Sequence, residues 1–110
     1  MKVSRFIREF KNIFPEELEY TFYHGYCYWF ALILASRFGG EIWFNPSIIH
    51  FAAKIDEKLY DIYGEVTPGL NPVTGEFDEN KVEWIEWGKF QETNNQDTIA
   101  SIVDTCIKKV

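Results

Sequence analysis

Basic charge is scarce in this sequence. Eleven Lys and Arg stand against 17 Asp and Glu, a formal net charge of −6, and Lys108-Lys109 is only a pair near the chain end rather than a cluster. Nucleic-acid backbones and acidic membranes both call for basic patches, so direct nucleic-acid binding and membrane binding are not expected. Cysteine is scarce too. Cys27 and Cys106 are the only two, too few for a disulfide-stapled scaffold, and a reducing cytoplasm is the expected compartment. The uncharged stretch from Tyr26 to Ala35 is too short to span a bilayer. Charges interrupt every apolar run between Met1 and Phe10, so no signal peptide is expected there. Internal repeats and low-complexity tracts are absent.

What the chain does have is material for one core. Hydrophobic residues make up 46% and aromatics 18% of 110 residues, which suits a single domain over 1–110 and argues against a disordered protein. Val3, Phe6, Ile7, Phe10 and Ile13 recur at helical spacing and predict an amphipathic helix over 3–13. Pro15-Glu16-Glu17-Leu18 reads as a new first turn, with proline and acids where a helix start favours them. From Tyr26 to Phe38 the pattern is apolar on every face, the mark of a helix sandwiched in a core, and Gly39-Gly40 ends it.

Residues 41–45 read as a strand and Pro46 as a break. Residues 47–55 and 58–63 read as a hairpin turning at Asp56-Glu57. Turn formers crowd the stretch from Glu65 to Lys81, which reads as a long surface loop bordering a substrate. Residues 82–87 read as a further strand. Ile99, Ile102, Val103 and Cys106 mark one face of a final helix, with Asn95 or Asp97 as its N-cap; this places Cys106 in the core. The expected fold class is α+β.

The chemistry centres on Cys27, His50 and Asp61. A thiol nucleophile needs a neighbouring base, and that base needs an orienting carboxylate. Cys27 opens the apolar helix, where unpaired backbone N–H groups favour a thiolate and can bind the oxyanion formed when an acyl carbon is attacked. Gly25, two residues upstream, lets backbone and substrate approach closely. With a two-residue turn at Asp56-Glu57, Ile55 pairs with Lys58 and Ala52 with Asp61. His50 then shares a face with Ala52 and lies diagonal to Asp61, within hydrogen-bonding reach. A turn longer or shorter by one residue sends Asp61 to the other face.

A cysteine opening an apolar helix, a histidine on a strand and a polar residue on the next strand resemble the papain-like cysteine hydrolases, in particular their compact NlpC-type and transglutaminase-like cores. The short spacings also resemble small proteins of bacteria and their phages. The resemblance covers residues 18–64. It implies a cysteine-bearing helix packed on a small antiparallel sheet, and hydrolysis or transfer at an amide bond through a thioester. By the same resemblance Cys27 is the nucleophile, His50 the general base and Asp61 the orienting residue. Papain-type enzymes place a glutamine shortly before the cysteine as an oxyanion donor; here Tyr20, Thr21, Tyr23 and His24 stand there instead, with Tyr23 and His24 as the substrate or oxyanion candidates.

Other readings of these residues exist. His24, Cys27, His50 and Asp61 are all possible zinc ligands, but His-x-x-Cys has no second close pair, so no metal and no cofactor is expected. Trp84 and Trp87 either line a peptide groove or cover the sheet, the latter being the commoner use. Two functions remain from different classes. One is a small hydrolase of an amide or isopeptide bond with a peptide or protein substrate. The other is a non-catalytic acidic binding protein on the same scaffold, such as a phage or mobile-element inhibitor of a host protein.

Overall fold

The computed structural model describes residues 2–13 and 26–108, with side chains described as far as Thr105. The new helical turn read at Pro15 to Leu18, and the residues Tyr20 to Gly25, lie outside the described residues. The fold is α+β. Helix α1 spans Val3–Ile13 and α2 spans Cys27–Phe38, followed by strands β1 (Glu41–Asn45), β2 (His50–Ile55), β3 (Lys58–Asp61), β4 (Gly64–Glu65) and β5 (Ile85–Glu86). Helices α3 (Trp87–Thr93) and α4 (Gln96–Lys108) close the chain. Among the described residues the strands form one sheet in the order β4-β3-β2-β1-β5, every pairing antiparallel.

Local chemistry accounts for most of these boundaries. Gly39 ends α2 in the left-handed region at φ 74°, its N–H donating to the Ala35 carbonyl. Asp56 and Glu57 both have positive φ, 51° and 68°, which makes the two-residue turn that matches strand twist. That turn fixes the register Ile55–Lys58, Lys54–Leu59 and Ala53–Tyr60. Asn95 caps α4: its Oδ1 accepts from the Thr98 N–H at 2.8 Å.

The sheet has two differently used faces. Phe51, Ala53 and Ile55 of β2 point toward α2, whose buried residues Cys27, Phe30, Ala31 and Leu34 pack there. Val3 and Ile7 of α1 join Phe30, Leu34 and Ile62 in one cluster. Phe44, Phe51 and Trp87 build a second, with ring centroids 4.8–5.1 Å apart. Burying a side chain of this size contributes roughly 1.5–3 kcal/mol, so this face carries most of the hydrophobic stabilisation. Alternation sends His50, Ala52 and Lys54 to the other face.

Three expectations need correction. β2 begins at His50, not at residue 47, because residues 46–49 form a turn and Ile49 takes φ 49°. β3 ends at Asp61, not at residue 63, where the chain turns into β4. The strand expected over 82–87 shrinks to Ile85–Glu86, and Trp87 opens a helix instead. Trp87 is 4% exposed; its packing against Phe44 and Phe51 outweighs the strand preference of the Trp-Ile-Glu-Trp pattern.

Candidate functional site

The first candidate side chain, His50, sits where a strained backbone delivers it. Ile49, immediately before His50, is a β-branched residue in the left-handed region, which costs on the order of 1–3 kcal/mol and persists only where surrounding packing enforces it. That packing is present: the residues on both sides of His50, Ile49 and Phe51, belong to the cluster that holds Cys27. His50 therefore leaves the core at the start of β2 and presents its ring on the opposite face.

On that face the hairpin register brings Asp61 to His50. Continuing the Ala53–Tyr60 pair by one residue sets Ala52 opposite Asp61, and His50 is the diagonal neighbour. His50 Nε2 lies 2.9 Å from Asp61 Oδ2, and both side chains are buried. The second carboxylate oxygen, Oδ1, accepts the Tyr63 N–H at 2.8 Å. Asp61 is thus held at both oxygens, and the imidazole it holds has a defined ring orientation. Nδ1 is the ring nitrogen turned away from the carboxylate. Trp84 covers the pair, its ring edge-on to His50 at 6.1 Å between centroids.

His50 and Asp61 form one wall of a cavity of about 770 Å³ between the sheet and the 65–84 segment. Asn45 ties that segment down. Fully buried, it donates from Nδ2 to the Lys81 carbonyl at 2.8 Å and accepts the Ser47 N–H at Oδ1. The segment itself is internally bonded. Asn71 Oδ1 accepts from the Val73 and Thr74 N–H groups, the Gly75 N–H reaches the Asn71 carbonyl, and Leu70 bridges Phe77. The sequence reads Glu65 to Lys81 as a long surface loop bordering a substrate, without the internal bonding seen here. Asn45 was not singled out at all, although an Asn-Pro pair at the end of a strand is a signal that a side chain is satisfying a turn.

Cys27 is placed differently. It is the first residue of α2, with its thiol outside any disulfide, and it is 3% exposed among Ala31, Phe44, Phe51 and Trp87. Phe51, one residue after His50, packs on Tyr28 with ring centroids 5.0 Å apart, so the start of α2 and the start of β2 are neighbours. The structure thus joins His50 to Asp61 on one face of the sheet and seats Cys27 at the same end of the sheet, in the cluster on the helix-packed face. Tyr23 and His24, the oxyanion candidates, lie outside the described residues. Among the described residues no three His, Cys, Asp or Glu side chains gather as a metal site. Trp84 borders the cavity, whereas Trp87 is core. Among the described residues no helix is long and apolar enough to cross a membrane.

Comparison with protein families matches residues 6–101 to the family described as Phage YunG-like protein. The match spans most of the chain, so the chain belongs to that family. Comparisons with curated proteins and with solved structures returned no match.

Proposed function

We propose that this phage YunG-like protein is a small cysteine hydrolase with a papain-like core, cleaving an amide or isopeptide bond of a peptide or protein. The observation that carries this reading is the buried His50–Asp61 hydrogen bond at 2.9 Å. A carboxylate engaging Nε2 orients the imidazole and leaves Nδ1 as the proton-transferring nitrogen. Cys27 at the first position of α2 supports the reading from the other side, because the N–H groups there favour a thiolate and a developing oxyanion.

The proposed reaction has two halves. It requires Cys27 Sγ to reach Nδ1 around the end of the sheet, where the starts of α2 and β2 adjoin. His50 then takes the proton from the thiol, and Sγ attacks the carbonyl carbon to form a tetrahedral intermediate. The imidazolium returns that proton to the departing nitrogen as the C–N bond breaks, leaving a thioester. Water then attacks the thioester with His50 as base, the C–S bond breaks, and the thiol and a carboxylic acid are regenerated.

A second reading has its own observation. Cys27 is 3% exposed within an aromatic cluster, on the face of the sheet away from His50 and Asp61. A cysteine used only as a small core residue fits that seat, and the protein is then an acidic binding module that occupies a host protein. One experiment separates the two. The folded protein is treated with iodoacetamide and with a peptidyl vinyl sulfone across a pH series, and the labelled residue is mapped. Catalysis predicts labelling of Cys27 well below about pH 8, where an ordinary thiol is still mostly protonated. It also predicts that Cys27→Ala abolishes peptide cleavage with little change in melting temperature. Labelling only above that range, or only after urea unfolding, overturns the hydrolase and leaves the binding module.

A further inference from the structure

We infer that the cavity under the 65–84 segment is a groove for a cationic, extended peptide segment. This assigns a substrate class to the hydrolase proposed above and rests on that reading for its catalytic meaning. The groove is of useful size: about 770 Å³ accommodates several side chains in extended chain rather than one small ion. Its wall is apolar where the segment overhangs it. Phe77 is 62% exposed and Leu70 38%, while Ile48 and Trp84 line the interior. Large apolar side chains held open to water beside a cavity mark a surface that something covers.

Charge identifies the occupant. Asp61, Glu65, Glu76 and Asp78 border the cavity, against Lys81 and His50. Asp61 is taken up by His50. Lys58 approaches Glu65 at 3.7 Å and Lys81 approaches Asp78 at 4.0 Å, but all four side chains are about half exposed, where such pairs are weak. Among the described residues no ion pair involves Glu76, and it sits next to the exposed Phe77. A ligand with an ammonium or guanidinium flanked by apolar residues meets both features. A phosphate-bearing ligand meets neither, because the cavity repels it.

The segment also arrives pre-shaped. Gly69, at φ 86°, has the Phe77 ring, the Val82 side chain and the Asp78 carbonyl within 3 Å of where a Cβ would sit. Its carbonyl accepts the Asp78 N–H at 2.9 Å. The two limbs of the segment are therefore packed together before any ligand binds, which lowers the ordering cost of binding.

The test uses full-length Cys27→Ala protein, so that no probe is turned over. Three fluorescein-labelled octapeptides are compared, identical except for a central Lys, Ala or Glu between two Leu residues. The Lys peptide is expected to bind most tightly. Its preference over the Glu peptide shrinks as salt is raised, and in Glu76→Lys protein it falls by roughly two- to fivefold. Phe77→Ala weakens the Lys and Ala peptides alike. Equal binding of the three peptides, or a preference that neither Glu76→Lys nor added salt changes, overturns the groove. Spermidine displacing the Lys peptide at its own concentration overturns the peptide and leaves a small polycation. Cleavage by the wild type is scored separately: no cleavage with the Lys preference intact sinks the hydrolase alone.

Discussion

The two faces of strand β2 divide the molecule into unequal halves. Phe51, Ala53 and Ile55 face two helices and are 0–5% exposed, without a polar atom among their side chains. His50 and Ala52, between and beside them, are equally buried, yet what lies against His50 is the Asp61 carboxylate, the Trp84 indole and a cavity bordered by a turn-rich segment. The helix face is held by area, which is non-directional and tolerant. The cavity face is held by individual hydrogen bonds, among them Asn45 to Lys81, Asp61 to Tyr63 and Asp61 to His50. A face built that way positions groups sharply and contributes less stability, which is the usual partition between scaffold and site.

The sharpest way to break that comparison is to remove one large side chain from the helix face. Phe51 is fully buried and packs against Phe44, Trp87 and Tyr28. Phe51→Ala is expected to lose about 3–5 kcal/mol in urea denaturation, enough to leave a domain of this size barely folded. A loss below about 1.5 kcal/mol means the helix face repacks freely and is not the scaffold described here.

A change of similar size on the cavity face should cost less and act elsewhere. Gly69→Ala forces a left-handed alanine against the Asp78 carbonyl, the Val82 side chain and the Phe77 ring. The expected destabilisation is about 1–3 kcal/mol, with the 69–78 segment loosened locally. Hydrogen exchange should show faster amide exchange at Asp78 and Gly75, whose N–H groups are bonded within the segment, and unchanged exchange in β2. Faster exchange through β2 as well merges the two faces into one cooperative unit.

How much of this was legible beforehand follows the same division. Elements whose boundaries depend on local chemistry were readable: Val3–Ile13 from its apolar spacing, the end of α2 from Gly39, the Asp56-Glu57 turn and with it the Ile55–Lys58 register. The diagonal placing of His50 and Asp61 followed from that register alone. Long-range packing decided the rest. Trp87 reads as a strand residue by type and starts a helix because Phe44 and Phe51 receive its ring. Ile49 reads as a strand residue and is bent into the left-handed region at the point where the chain enters β2. The built character of the 65–84 segment rests on Asn45, 36 positions from its partner Lys81. No local pattern announces a partner at that distance.

The smallest expected effect sharpens the comparison most, because it asks whether the cavity face is tuned for stability at all. Trp84 Nε1 is buried with no hydrogen-bond partner, and so is Trp43 Nε1 on the same face. Leaving a buried donor unsatisfied costs about 1–3 kcal/mol, a defect the helix face nowhere carries among its described side chains. Trp84→Phe removes the donor and keeps an aromatic edge against His50. The missing ring volume leaves a small cavity whose cost is about 1 kcal/mol, so the two contributions nearly cancel. Thermal and urea denaturation should therefore place the variant within about 1 kcal/mol of the wild type, on either side. A loss above about 2 kcal/mol means that the indole N–H has a partner in solution and that the cavity face is as fully satisfied as the core behind it.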